Sequence, residues 1–207
     1  MYSPYGVLPE IDVMPNRKER SERIKLLDRV LVKDIAHLGR PLKEHLIGTH
    51  DLLDQWQNSK SVCLAGLFHS IYGTKTFSPA ALTTESRGDV RMLIGEQAEA
   101  LVFVFGMSDR KRLLLENRSP PYRWIDHRTG EQTEICDDFL NNLVEIEVAN
   151  FIEQMPFRTG KADSVIQAMR HSFESATSRM SAGARETFCR AFDEHSGSAN
   201  VSAQQGW

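Results

Sequence analysis

Residues 44–74, EHLIGTHDLLDQWQNSKSVCLAGLFHSIYGT, carry the densest signal in the chain. Leu42, His45, Leu46, Thr49, Leu52, Leu53 and Trp56 recur at three- and four-residue steps, so a helix from Pro41 to about Gln57 turns His45 inward and leaves Lys43, Asp51, Asp54 and Gln55 wet. Asn58 and Ser59 break the pattern, and Ser59 or Ser61 is placed to cap the next segment. That segment, VCLAGLF, has little polarity on any side. A run of this length suits a buried strand or a buried helix. Ala65-Gly66, the lack of alternation and the helical neighbours favour a central helix, with His69 one turn after Ala65 and Gly73 at its end. The small Ala65 and Gly66 leave room for a neighbouring helix to come close.

Working outward toward the N-terminus, Ile24, Leu27, Val30, Leu31 and Ile35 predict a surface helix over residues 17–38, with Gly39 as its stop and Pro41 in the first turn of the next helix. Residues 1–16 hold three prolines and a glycine without helical periodicity and read as an extended N-terminal arm. Toward the C-terminus, FSPAALTTESRG reads as a loop or short helix. Val90, Leu93, Ile94, Ala98, Leu101, Val102 and Phe105 predict a helix over 89–107 with Gly95 as a kink. Residues 108–119 read as a basic, amphipathic surface helix, and residues 121–133 as a short β-hairpin turning at Arg128-Thr129-Gly130. ICDDFLNNLVEIEVANFIEQM is a strong helix with a broad apolar surface on which Glu147 is the anomaly, since a carboxylate there is costly unless paired or ligating. Asn150 comes one turn later, and Pro156 ends the helix. Two more helices, about 161–178 and 182–194, complete an all-α domain over 17–194, and residues 195–207 read as a disordered tail.

The whole-chain quantities exclude several classes. With 41% hydrophobic and 26% charged residues and a net charge of -3, the chain is ordinary for a globular protein and offers no electrostatic reason to bind nucleic acid or an acidic membrane. No apolar run approaches the roughly 20 residues that span a bilayer. Cys63, Cys136 and Cys189 are odd in number and lack paired spacing, which argues against a disulfide framework or thiolate zinc site and for reduced thiols in the cytoplasm. Neither Gly-rich nucleotide motif, GxGxxG or GxxxxGK, is present. These quantities fix no oligomeric state.

His45 and His69, on the buried sides of two consecutive helices, are one way to bring two imidazoles to a single divalent metal such as Fe, Mn or Zn. In this respect RPLKEHLIGTHDLLDQW and VCLAGLFHSIYGT resemble the HD-domain superfamily of metal-dependent phosphohydrolases, in which one helix supplies a histidine and the next ends in His-Asp. The guanosine tetraphosphate hydrolase type is the nearest, over about residues 25–155. The chain also resembles a bacterial family of unknown function marked by HLxGT, AGLFHSxYGT and a late Glu-x-x-Asn. There are departures: His69-Ser70 stands where the superfamily has His-Asp, and Gly73-Thr74 where the hydrolases have Glu-Asp.

The resemblance implies an HD-like helical bundle and a later acidic ligand. By position the candidates are Asp137, Asp138 and Glu147, with Glu147 best placed, which gives a His45, His69, Glu147 metal set. Ser70, Tyr72 and Thr74, beside His69, are the candidate catalytic residues, although Tyr72 and Thr74 read equally as a helix end and cap. Arg40 reads as a solvated arginine or a phosphate contact, and His37, His50 and His127 as structural or surface residues. The expected function is hydrolysis of a phosphorylated or nucleotide-like small molecule by metal-activated water. The alternatives are a non-haem iron oxygenase and a non-catalytic binding module that has lost the ligand aspartate.

Overall fold

A computed structural model describes residues 17–30, 35–158 and 162–204. The arm expected over 1–16 lies outside them. The fold is mainly α, as the sequence predicts, with two small antiparallel hairpins. At its centre is α3 (Lys60–Phe68), capped by the Ser59 hydroxyl, which accepts from the Val62 amide. Every residue from Val62 to Phe68 is buried. Large apolar side chains enclosed in this way contribute about 1.5–3 kcal/mol each.

Three helices surround α3: α2 (Leu42–Gln55), α5 (Glu96–Met107) and α7 (Asp137–Gln154). The α2–α3 contact is close because Gly66 has no side chain where Leu53 and Thr49 of α2 approach. On the far side of α7, Phe151 meets Phe173 of α8 (Ala162–Glu174) at 5.4 Å, and Phe188 and Phe192 of α9 (Ala182–Gln204) complete the aromatic layer. The backbone of α9 stays helical through residues 195–204, where composition leads to an expectation of disorder. It meets no proline there, and extending an existing helix costs far less than starting one.

The first helix departs from expectation. α1 spans Arg17–Val30, Ile35 is no longer helical, and β1 (Ala36–His37) pairs with β2 (Arg40–Pro41) around a two-residue turn. Leu38 (φ 48°) and Gly39 (φ 79°) are both left-handed, as such a turn requires. For Leu38 that conformation costs about 1–2 kcal/mol. The turn places His37 over α2.

The helix expected over 89–107 is two helices, α4 (Arg87–Ile94) and α5, because Gly95 adopts φ 89° and ψ 158°, which interrupts the ladder rather than kinking it. α6 (Arg110–Glu116) is short. The second hairpin, β3 (Tyr122–Ile125) with β4 (Gln132–Ile135), occupies the region expected for it. It also anchors the start of α6, since the Asp109 amide donates to Ile125 O and the His127 amide to Met107 O.

Candidate functional site

α2, α3 and α7 bring three sets of polar side chains to one place. His45, 1% exposed, comes from the buried face of α2, and His69, 3% exposed, from the C-terminal end of α3. From α7, Glu147, Asn150 and Gln154 rise at steps of three and four residues, with Glu153 beside them.

The hydrogen bonds determine the state of each group. His69 Nδ1–H donates to Gly66 O at 2.7 Å, so the neutral ring presents a bare Nε2. His45 Nδ1–H donates to the Glu153 carboxylate, whose other oxygen pairs with Arg40. With Nδ1 held in this way, His45 turns Nε2 toward His69, and the two Nε2 atoms lie 3.2 Å apart, with Gln154 Nε2 3.4 Å from that of His45. On α7 the amide orientations are set by the chain of donors. Arg158 Nη2 donates to Gln154 Oε1 (2.8 Å), Gln154 Nε2 to Asn150 Oδ1 (2.7 Å) and Asn150 Nδ2 to Glu147 Oε2 (3.2 Å). Asn150 Oδ1 is thereby turned to His45 Nε2, 3.1 Å away. His69 Nε2, Asn150 Oδ1 and Gln154 Nε2 thus converge on His45 Nε2, and two imidazole nitrogens beside an amide oxygen are a donor set that suits a metal ion.

Electrostatics keep the proton off His69. Burial pushes its pKa well below the usual histidine range and neighbouring His45 pushes the same way, against the opposing bond to Gly66 O. His37 stacks on His45 at a centroid distance of 4.7 Å, and burial, then His45, lower its pKa to about 4. For Glu153, burial opposes ionisation, but the bonds from His45 and Arg40 outweigh it and hold the carboxyl below its ordinary value.

Tests of the donor set favour a different third ligand from the one the sequence suggests. Glu147 Oε2 lies 2.9 Å from Arg110 Nε, an ion pair lacking the alignment of a hydrogen bond, and its charge is matched there rather than against the histidines. Among the described residues no three His, Cys, Asp or Glu side chains gather as a metal-holding group. The residues that fit a divalent ion are His45 and His69, with Asn150 Oδ1 in place of a carboxylate. Both imidazoles have the outer hydrogen bond that orients metal-binding histidines.

These groups open onto a cavity of about 710 Å³. His45, His69, Ser70, Thr74 and Glu147 all line it. The Ser70 hydroxyl is shielded and has no hydrogen-bond partner among the described residues. Tyr72 is not part of this site. Its hydroxyl donates to Glu99 Oε1 at 3.2 Å, in a cluster that Arg87 and Arg91 complete, and burial and the Glu99 charge raise its pKa. Sequence reasoning missed Glu153, Gln154, Arg110 and Arg158 as site residues. Of these only Gln154 carries a usable signal, since it extends the Glu147–Asn150 stripe by one turn. The basic segment expected to be a plain surface helix fits that description at Arg112 and Glu116, but Arg110 is turned inward over the Phe105 ring, 4.7 Å from its centroid.

The class defined by fold and site is thus a mainly α protein with a cavity built around a paired-histidine centre. Residues 26–110 match the model of a family described as a domain of unknown function (DUF6817), a stretch that includes His45, His69 and Arg110 and stops before α7. No curated protein and no solved structure matches the chain.

Proposed function

We propose that the chain is an HD-like, metal-dependent enzyme that hydrolyses a phosphorylated small molecule. The observation that carries this reading is the pair of facing Nε2 atoms 3.2 Å apart, each ring oriented from behind, at the wall of a ligand-sized cavity. His45 and His69 would hold the divalent ion, Fe, Mn or Zn, with the Asn150 amide oxygen beside them. Such an ion supplies Lewis acidity and a water of lowered pKa.

The other residues bind and orient. Arg158 brings to the cavity a guanidinium group without an ion-pair partner among the described residues, which offsets phosphate charge, and Arg110, whose charge is matched by Glu147, adds an unused Nη1 donor. Ser70 Oγ offers a hydroxyl with no competing partner among the described residues, and Thr74 lies on the same wall. Cys63, buried, donates its thiol to Asn58 O, and Cys136 and Cys189 are exposed; none of the three is in a disulfide among the described residues, which supports the cytoplasm as the setting. No helix among the described residues is long and apolar enough to cross a membrane.

The test is elemental analysis of untagged protein, with His45→Ala and His69→Ala beside the wild type, and then assay of phosphate release from a panel of phosphomonoesters and nucleotides. About one equivalent of metal, lost in both variants together with phosphate release, supports the reading. Iron with oxygen uptake and no phosphate release replaces it with oxygenase chemistry. Absence of metal after reconstitution with Fe, Mn and Zn overturns it and leaves a binding module.

A further inference from the structure

The charges around the cavity are largely spent on one another. Lys75 pairs with Asp109 at 2.5 Å, Arg112 with Glu116 at 2.7 Å and Arg110 with Glu147 at 2.9 Å. Arg158 and Lys111 make no ion pair among the described residues, and both line the cavity. Arg158 Nε and Arg110 Nη1 are shielded and have no acceptor among the described residues, although buried guanidinium N–H groups are costly to leave unsatisfied. This set matches one phosphate. It falls short of a polyphosphate, which would need several more unpaired cations.

Much of the remaining lining is apolar. Leu42, Phe77 and Met169 contribute to it, and so do Leu38 and Val165, two of the large apolar side chains that the fold leaves exposed. Leu38 is held there by the strained turn.

We propose that the substrate is a phosphomonoester with a single phosphate, bound by Arg158 and Arg110, on an apolar alkyl or aryl body that packs against Leu38, Val165 and Met169, rather than a nucleoside polyphosphate. This rests on reading the cavity as the active site. A nucleotide would place a polar sugar and base against an apolar wall, and among the described lining residues a second phosphate would find Lys111 as its unpaired cation, too little for a polyphosphate.

The experiment is isothermal titration of the full chain with octylphosphonate, methylphosphonate and guanosine (α,β-methylene)diphosphate, none of which can be hydrolysed at phosphorus–carbon bonds. Octylphosphonate is expected to bind at least ~10-fold more tightly than methylphosphonate, since each buried methylene adds about 0.8 kcal/mol. Val165→Asp, at an exposed position that tolerates a charge, removes that gain, so that the octyl and methyl probes then bind with similar affinity. Arg158→Gln weakens both phosphonates by roughly 10–100-fold. If Arg158→Gln fails to fold, as judged by its melting curve, Lys111→Gln on the exposed side of α6 gives a smaller loss of the same kind. Equal binding of the two alkyl probes, tighter binding of the nucleotide analogue, or indifference to Val165→Asp overturns the inference. Tight octylphosphonate binding with no phosphate release from any ester overturns the hydrolase reading alone. Phosphate release from nucleotides without an octyl preference overturns the inference alone.

Discussion

Gly48 lies directly beneath Glu153: a Cβ at position 48 would come within 2.6 Å of Glu153 Oε1 and 2.8 Å of its Cγ. The glycine is one turn beyond the histidine that this carboxylate orients. Its lack of a side chain is therefore part of how the site is assembled, although it touches neither imidazole.

Gly48→Ala should disturb the site through Glu153. The obstructing atoms run back to Glu153 Cγ, so the whole side chain must shift, and the helix propensity of about 0.8–1 kcal/mol that alanine gains over glycine is set against that displacement. The melting temperature is expected to fall moderately, because Arg40 loses its buried partner. Glu153 is also pushed off His45, and loss of an outer carboxylate from a metal-binding histidine weakens metal affinity by roughly 10–100-fold. Metal titration alongside thermal melting checks both. A fall in stability with unaltered metal affinity would show that the glycine serves packing alone.

The central helices and His45 are legible in the sequence because apolar periodicity and burial are the same physical fact: α2 has one inward face, α3 has no outward face, and the two histidines lie on the buried sides. The departures arise where one residue's backbone overrides the pattern. Nothing in Leu38 announces a left-handed conformation, so the apolar steps through Ile35 read as more helix, and Gly95 reads as a kink because a glycine's φ is invisible in the sequence. The site's supporting residues are harder still. Arg40, Arg110, Glu153 and Arg158 are charged residues of ordinary surface type, and only the arrangement of helices makes them partners of buried groups.

Tyr72 illustrates the same point, and its cluster makes a pH prediction. Glu99 is 0% exposed, and burial raises its pKa, but the hydrogen bonds from Arg87 and Arg91 outweigh that and leave it below its usual value of 4.5. A depressed carboxylate contributes stability that is present above its unfolded pKa and lost as pH falls through the folded one. Wild-type stability should therefore drop as pH goes below 4.5, and Glu99→Gln should flatten that acid limb. At pH 7 the variant should be less stable by about 1–3 kcal/mol, since a charged bond pair is lost while the partly exposed arginines can turn to water. Urea melts across the range provide the test. Parallel acid limbs in the two proteins would place the titrating group elsewhere.

Gly106→Ala should be harmful to the fold. A Cβ there would meet Gly73 O at 2.8 Å, and the obstructing atom is backbone at a turn where Gly73 itself holds φ 73°. Neither partner can rotate away. Overpacking of this kind costs about 1–3 kcal/mol. Because the displaced turn leads into Thr74, ligand binding should weaken as well. Gly88→Ala is a matched control, since nothing lies within 4 Å of its Cβ, and a melting temperature equally lowered in both variants would remove the close approach as the cause.

Glu147 provides the sharpest distinction between what its position in the sequence suggests and what its surroundings support. As a metal ligand, it would take the metal with it when changed. As the counter-ion of Arg110 and the acceptor for Asn150 Nδ2, it should not. Glu147→Gln is expected to keep metal content near the wild-type level, because His45 and His69 retain their own orienting bonds to Glu153 and Gly66. Stability should instead fall by about 3–5 kcal/mol, the cost of leaving one charge of a buried pair uncompensated. Arg110→Gln should produce a comparable loss, and the double variant should be much less damaging than the two losses added, because the unpaired charge is gone. Metal analysis and denaturant melts of the three variants give the full cycle. Metal lost in Glu147→Gln, with stability losses that simply add, would return the carboxylate to the metal and make Arg110 a bystander.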